Sequence, residues 1–240
     1  MGLMQNFIFN NKNSEDFSII INKKSTYNAP SRVVTMQSVP GKNGDLIIDE
    51  ECFTNVSIGY NITVMPTGHY EFRDLVRMIK GWLLSRAGYF RLYDSYDTDY
   101  FRLASYSGKL DIEEILPQLG ECEILFNCKP FRYSFSGQQI IETDAPIKLH
   151  NKEYFSSLPY FKIYGSGDMS LYINNKAYNF TNIDGYIEID SEIKNAFKGL
   201  APQNSKMNGS EFPVFLPGDN HISFSGNISK IEIMARWCSL

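Results

Sequence analysis

The feature that most constrains this chain of 240 residues is a period of two in its apolar residues, which recurs along most of its length. It is clearest in residues 57–64, where large apolar side chains alternate with small or polar ones; the apolar set is Ile58, Tyr60, Ile62 and Val64. Successive side chains of a strand point to opposite faces, so this alternation predicts strands with one buried and one solvated face.

Segments rich in β-branched and aromatic residues cover much of the chain, and Gly, Asn and Asp clusters separate them at the spacing of a sandwich or barrel. The predicted strand segments are FSIIINKK, CFTNVSIGYNITVM, GECEILFNCKPFRYSF, LPYFKIYGSG, MSLYINNKAYNF, GYIEID, NHISFSG and SKIEIMARW. The predicted fold class is therefore mainly β.

Residues 70–87 depart from this pattern and predict one helix of about four turns. Apolar residues fall on one side of it and charged residues on the other. The apolar set is Phe72, Leu75, Val76, Ile79 and Leu83, and the charged set is Arg73, Asp74, Arg77 and Lys80. Gly88 stands where a C-terminal cap is expected. The apolar stripe indicates a helix that covers a sheet.

Apolar density falls in SGQQIIETDAP, which is residues 136–146. This predicts two domains, residues 1–137 with strands and the helix, and residues 138–240 with strands and turns only. The chain is long enough for a hydrophobic core without disulfides. Its cysteines are Cys52, Cys122, Cys128 and Cys238. They form no CxxC pair and no zinc pattern, so we expect reduced thiols.

Charge and hydropathy argue against two classes of partner. The net charge is −4 and the longest basic run is Lys23–Lys24, which argues against nucleic acid. No segment approaches the ~18 apolar residues of a membrane span, so no membrane partner is expected. The first residues lack a basic region followed by an apolar run. We therefore expect synthesis in a cytoplasm without a signal peptide.

The search for a catalytic site finds only scattered groups. The three histidines, His69, His150 and His221, lie far apart and fit no HExxH motif. Asp219, His221 and Glu232 in the last segment could mark the edge of a site or the last hairpin of a sandwich. Turn residues 217–220 and the alternation on both sides favour the hairpin.

Two further motifs also favour structure over chemistry. Asp94, Asp97 and Asp99 suggest a calcium loop, but the loop glycine and the terminal Glu are missing, so a turn is favoured. No helix follows the glycines of GKNG or GSG, so these are predicted to be turn glycines between strands, not a phosphate site. We therefore predict no enzyme, no cofactor and no metal.

These segments together resemble the Dit family, the distal tail proteins of long-tailed, non-contractile phages. The N-terminal matches are FIFNNKNSEDFSIII, PSRVVTMQSVPGKNGDL, FRDLVRMIKGWLLSRAGYFRLYDSYDTDYFRLA and GECEILFNCKPFRYS. The C-terminal matches are YFKIYGSGDMSLYINNKAYNF, GYIEIDSE, LPGDNHISFSG and the terminal ARW. The resemblance covers nearly the whole chain, and its pieces occur in the family's order.

The resemblance implies a structural virion protein at the distal end of a tail. It implies a ring-forming N-terminal β-sandwich with one helix and a C-terminal galectin-like β-sandwich. The ring would be a homo-hexamer, single or doubled back to back, that joins the major tail-tube protein to the tail-associated tip protein. The C-terminal domain would carry or contact the receptor-binding protein, so the ring would be a hub for host adsorption.

Residues 29–51, APSRVVTMQSVPGKNGDLIIDEE, predict a hairpin in the ring-forming half, with Pro30 and Pro40 limiting its internal pairing. A closed ring can use such exposed edges. Its polar tip is the candidate oligomer interface; the residues are Pro40, Gly41, Lys42, Asn43 and Gly44.

An alternative function from another class is a stand-alone carbohydrate-binding β-sandwich. Its aromatic surface would come from Tyr160, Tyr164, Tyr172, Tyr178 and Tyr186. Tyrosines at this density in strands are more often half-buried packing, which favours the structural role. A glycan-cleaving tail enzyme is the weakest of the three, because no acid pair can be identified.

Overall fold

The computed structural model describes residues 5–24, 28–67, 70–116, 119–209 and 211–240. The chain forms two compact units, residues 1–132 with Leu240, and residues 133–239. The predicted division into domains 1–137 and 138–240 stays a prediction, which separate expression of the two parts would test. Within the described residues no helix is long and apolar enough to span a membrane.

Strands dominate both units, which confirms the predicted mainly β fold class; the described residues contain a single α-helix, α1 (Phe72–Leu84), and three short 3-10 helices (Ser14–Phe17, Ser136–Gln138 and Asn204–Lys206). The strands are β1 (Phe7–Phe9), β2 (Lys12–Asn13), β3 (Ile19–Lys24), β4 (Arg32–Ser38), β5 (Asp45–Phe53), β6 (Val56–Val64), β7 (Phe90–Asp94), β8 (Asp97–Ser105), β9 (Glu113–Leu116), β10 (Leu119–Ser134), β11 (Ile140–Thr143), β12 (Ile147–Asn151), β13 (Tyr160–Ile173), β14 (Lys176–Ile183), β15 (Tyr186–Asp190), β16 (Asn195–Lys198), β17 (Ala201–Pro202), β18 (Met207–Asn208), β19 (Gly218–Met234) and β20 (Cys238–Ser239).

The sheet of the first unit has the strand order β2-β1-β7-β8-β10-β6-β3, and β9 also pairs with β10. The face predicted to be buried in β6 is buried, at Ile58, Tyr60, Ile62 and Val64. The opposite face is only partly solvated, because Gly59 and Thr63 are buried as well. β6 runs antiparallel to β10 from Gly120 opposite Val64 to Cys128 opposite Val56. Non-local backbone pairing of this kind fixes which face of each strand meets the core.

Helix α1 packs on the core of the first unit. The side that it buries is the apolar side predicted from the helical periodicity. Leu75, Ile79 and Leu83 are fully buried, and Trp82 lies at the centre of an aromatic cluster. The Trp82 ring stacks on Phe17 with centroids 4.4 Å apart, and its Nε1–H donates to the Phe9 carbonyl at 3.0 Å. This bond satisfies the polar atom that burial of an indole would otherwise leave unpaired.

The predicted cap at Gly88 is wrong. The helix ends at Leu84, and its C-cap residue is Ser85 in a right-handed helical conformation. Gly88 lies three residues further on with φ of 146°, in the turn that leads into β7.

The sheet of the second unit has the order β11-β19-β13-β15-β16-β17, with β12 beside β19 and β14 between β13 and β18. Its core is a separate cluster of aliphatic and aromatic side chains that the long strands β13 and β19 largely supply. The fully buried members from these two strands are Phe161, Ile163, Leu171, Ile231 and Ile233.

Two predicted strand breaks in this unit are wrong. The glycines of GSG lie inside β13 and do not form a turn. Residues 218–220 of the predicted hairpin turn begin β19 instead, and β19 continues without a break from the predicted strand NHISFSG into the next one. Both strands shift register where they face each other. A Cβ at Gly165 would lie 2.2 Å from the Asn227 carbonyl oxygen, and one at Gly226 would lie 2.5 Å from the Asp168 carbonyl oxygen. These glycines therefore permit two irregular strands to approach closely; they do not form turns.

Gly165→Ala is expected to destabilise the second unit by about 2 kcal/mol, because backbone must move to admit the methyl group. Gly81→Ala is the control, for which we expect a change in stability of the opposite sign. Gly81 is an exposed residue of α1 with no atom within 4 Å of an added Cβ, so alanine should stabilise by about 0.5–1 kcal/mol. Thermal unfolding followed by calorimetry measures both. Equal melting temperatures for Gly165→Ala and the unmodified chain would contradict the close approach.

Candidate functional site

Strands β4 and β5 form a hairpin that is a two-stranded sheet of its own. The register runs from Ser38 opposite Asp45 to Arg32 opposite Phe53, with an irregularity near Glu51, whose φ is 56°. The predicted tip residues, 40–44, form the turn, and the Lys42 N–H donates to the Val39 carbonyl at 3.1 Å. The hairpin is thus where the sequence placed it, and its role as an oligomer interface stays a prediction.

The hairpin is tied together at its base. The Arg32 Nε–H lies 3.0 Å from both carboxylate oxygens of Asp49, and a second guanidinium nitrogen completes the pair. This hydrogen bonding lowers the pKa of Asp49. The Thr54 N–H donates to the Ser31 carbonyl at 2.9 Å. These contacts join the two strands to each other at the base of the hairpin.

Both faces of the hairpin expose large apolar side chains. On one face Met36 and Ile47 lie opposite each other and are 56% and 61% exposed. On the other face, here called the Leu46 face, Leu46 and Ile48 are 49% and 41% exposed. An isolated two-stranded hairpin is marginally stable in water, and exposed apolar patches mark interaction sites. This segment therefore has the properties of a docking element.

The exposure of these apolar residues could have been predicted from the sequence, but the prediction of a polar tip did not consider them. Leu46, Ile47 and Ile48 are consecutive, so a strand must place them on both faces. A strand with one solvated face would have alternated. The run therefore indicates a ribbon that needs a partner on each side.

The hairpin is also acidic. Residues 31–55 contain four carboxylates, Asp45, Asp49, Glu50 and Glu51, against the two cations Arg32 and Lys42. Among the described residues, only Asp49 of these carboxylates has a cation within 4 Å. Glu50 accepts a hydrogen bond from the Thr35 hydroxyl at 3.3 Å. Three solvated carboxylates therefore remain for a basic partner.

A cavity of about 290 Å³ in the first unit holds a polar cluster with a structural role. The Asp94 carboxylate is buried, accepts the Tyr60 hydroxyl at 2.5 Å and lies 2.7 Å from Lys24 Nζ. Burial, followed by the nearby carboxylate, raises the pKa of Tyr60 well above its usual value. Each of these three groups is therefore matched by another member of the cluster, which is typical of a structural role.

The calcium-loop alternative does not form a site. Asp94 and Asp97 end β7 and begin β8 across a two-residue turn, as the turn interpretation expected. Asp94 faces Lys24, whereas Asp97 binds Arg132 at 2.8 Å. Within the described parts of the chain no group of three or more His, Cys, Asp or Glu side chains could hold a metal ion.

The polar residues of the last segment are not assembled either. His150 Nδ1 lies 2.7 Å from an Asp219 oxygen on the neighbouring strand, and hydrogen bonds from Lys148 and then His150 lower the pKa of Asp219. Glu232 lies eleven positions beyond His221 on β19, of order 30 Å away at the rise of a strand. It accepts the Tyr164 hydroxyl at 2.9 Å. His69 lies outside the described residues.

The tyrosines proposed as a sugar surface are engaged within the second unit. Tyr178 is buried. The Lys162 ammonium lies 5.2 Å and 4.6 Å from the ring centres of Tyr164 and Tyr186. The Tyr160 hydroxyl donates to Glu188 at 2.5 Å. The Tyr172 hydroxyl lies 3.3 Å from that of Ser225. These contacts are typical of packing and cation–π interaction within the unit, which favours the structural interpretation of the tyrosines.

All four cysteines are free thiols, as the sequence predicts. Burial raises the pKa of Cys122 to about 11 and those of Cys128 and Cys238 to about 12. Such thiols carry little thiolate at neutral pH and behave as small apolar groups.

Comparison with known proteins gives a family and a fold. A family model described as the phage tail protein RIFT-related domain matches residues 9–128, which is half of the chain. No curated protein matches the sequence. The fold is similar to the crystal structure of the Dit (gp 19.1) protein of SPP1, described as a paradigm of the hub adsorption apparatus in phages that infect Gram-positive bacteria. The TM-score is 0.73 at 12% identity, over 96% of this chain and 98% of that chain.

Two structures of the phage p2 baseplate in its activated conformation contain a chain with a similar fold. The structure with strontium matches with a TM-score of 0.51 at 12% identity. The structure with calcium matches with a TM-score of 0.52 at 11% identity, and both matches cover 97% of each chain.

The main buried ion pair of the second unit predicts a pH dependence of stability. Arg236 binds Asp190 through two bonds of 2.6 Å and 2.8 Å, with both side chains mostly buried. Burial by itself would raise the pKa of Asp190, but the hydrogen bonds and charge of Arg236 outweigh it, so the pKa is lowered from 3.8. The pair therefore stabilises the fold above pH 3.8, and this contribution is lost as pH falls through the lower folded value.

We expect Asp190→Asn to cost about 2 kcal/mol at pH 7, because the mostly buried Arg236 loses the carboxylate that accepts its two short bonds and retains the more distant Glu192 at 3.5 Å. The loss of stability below pH 4 should be smaller in the variant than in the unmodified chain. Urea unfolding from pH 7 to pH 2.5 measures both effects. Asp184→Asn is the matched control, because that side chain is 94% exposed. Identical pH dependence in Asp190→Asn and the unmodified chain would contradict the assignment.

Proposed function

This chain belongs to the family of phage tail proteins with the RIFT-related domain, and we propose from that membership that it forms a homo-hexameric ring at the distal end of a phage tail. The resemblance to distal tail proteins predicted from the sequence is confirmed by the family match and by the shared fold. The stoichiometry, the position in the tail and the partners are parts of the proposal.

The observation that carries the proposal is the hairpin with apolar side chains on both faces. A closed ring of identical subunits needs a heterologous contact, in which one surface of each copy meets a different surface of the next. A hairpin whose two strands form a separate sheet and expose apolar groups on both faces is suited to contact a neighbour in this way. The turn residues 40–44 would then lie at the contact.

In this proposal the first unit builds the ring and the second unit faces the adsorption apparatus. The ring would join the major tail-tube protein to the tail-associated tip protein, as a single ring or as two rings back to back. The second unit would carry or contact a receptor-binding protein. The protein would accordingly be located in the virion and would act by assembly, not by catalysis.

The ring is tested by the mass of the purified chain, measured by size-exclusion chromatography with light scattering and by negative-stain imaging. A hexamer of the 27.5 kDa chain has a mass of about 165 kDa, and two stacked rings have twice that mass. Either mass with a central hole supports the proposal. A monomer at every concentration would contradict a self-assembling ring.

The role of the hairpin is tested by shortening it. Deletion of residues 41–44 is expected to abolish the ring, because the strands can no longer reach the neighbour. Ile47→Ser makes a smaller change and should weaken association about tenfold, the effect of losing roughly 1.4 kcal/mol of apolar burial. Ile193→Ser is the matched control, because Ile193 is 62% exposed in the second unit and Ile47 is 61% exposed. An intact ring after the deletion would exclude the hairpin from the contact.

A further inference from the structure

The outer side of helix α1 is basic. Arg73, Arg77, Lys80 and Leu84 are exposed and recur at helical spacing, so they share one side, here called the basic face. Residues 70–86 contain the four cations Arg73, Arg77, Lys80 and Arg86 against two carboxylates, Glu71 and Asp74. This composition is the opposite of that of the hairpin.

The cations of the basic face are largely unmatched. Arg77 lies 2.7 Å from Asp74. For Arg73 and Lys80, no carboxylate of the described residues lies within 4 Å. Leu84 closes the face with a side chain that is 49% exposed. A solvated basic stripe that ends in an apolar residue is suited to an acidic, partly apolar partner.

The Leu46 face of the hairpin has the same layout with the opposite charge. Leu46, Ile48 and Glu50 alternate along β5, so they point to one side, with the apolar residues towards the tip and the carboxylate towards the base. Asp49 points to the other side, where Arg32 neutralises it. Glu50 therefore supplies the free negative charge of this face.

The two surfaces also agree in length. Leu46 and Glu50 are four residues apart on a strand, roughly 13 Å at the rise of a strand. Leu84 lies roughly 6 Å from Lys80 and roughly 16 Å from Arg73 along a helix. With the apolar ends together, Glu50 falls within the basic stripe. Leu46, Ile48 and Leu84 are all more than 40% exposed in the single chain, so the two surfaces do not cover each other within it.

We infer that the Leu46 face of the hairpin docks on the basic face of helix α1 in the next copy of the chain. This inference rests on the proposed ring and names the surface that receives the hairpin. The contact is heterologous, as a closed ring requires, because each copy offers one surface and receives the other. The apolar ends provide burial, and the charges select the register and raise the association rate.

The test exchanges the charges. The hairpin variant is Glu50→Lys, and the helix variant combines Arg73→Glu with Lys80→Glu. Each places like charges opposite each other and is expected to raise the dissociation constant of the ring at least tenfold in 0.15 M salt. Combining the two variants restores opposite charges, so the constant should return to within about threefold of the unmodified chain. Light scattering over a concentration series measures all four proteins.

The control is Lys194→Glu, an exposed lysine of the second unit, which should leave the ring unchanged. Circular dichroism establishes that each variant is folded, and 1 M salt should reduce the differences because it screens the charges. If the unmodified chain forms the ring and the hairpin and helix variants have the same dissociation constant as the control, this contact is wrong and the proposed ring is unaffected. The contact is also wrong if the combined variant loses as much association free energy as the hairpin and helix variants lose together. An unmodified chain that remains monomeric would overturn the ring itself.

Discussion

Every strand in this protein needs a partner for its backbone N–H and C=O groups and a cover for its apolar face, and the architecture follows from where those needs are met. In the first unit β10 pairs with β6, β8 and β9, and α1 closes the core over the resulting sheet. In the second unit β19 pairs with β11, β12 and β13. The hairpin of β4 and β5 is different, since among the described strands its two pair only with each other and large apolar side chains on both faces stay exposed.

The charged groups also differ in whether they have partners within the chain. Two mostly buried carboxylates are matched within the chain: Asp94 has Lys24 and Tyr60, and Asp190 has Arg236. Such contacts specify packing within one chain. Among the described residues, the charges without an ion-pair partner include three carboxylates of the hairpin and two cations on the outer side of α1. In the proposed contact these opposite charges would attract one copy of the chain to the next.

Interpretation of the sequence succeeded where the signal is local. The alternation at Ile58 to Val64 identified β6, and the 3.6-residue period identified α1 to within three residues at each end. The predictions made from glycines were wrong at three positions. Gly165 and Gly226 resemble turn residues in sequence, but each is required by a backbone that approaches from a strand distant in sequence. Gly88 resembles a cap, but the helix ends earlier, at Leu84.

The sequence by itself determined the mainly β class, the single helix, the hairpin with its turn at residues 40–44 and the resemblance to distal tail proteins. These features depend on residue periodicity and on turn chemistry, which are properties of neighbouring residues. Only the tertiary structure decided that β13 and β19 run unbroken and that both faces of the hairpin stay exposed. It also decided that Asp219, His221 and Glu232 never meet. The periodicity of apolar residues predicts which face of a strand or helix is buried. The segment that covers this face is determined by pairing between segments far apart in the chain.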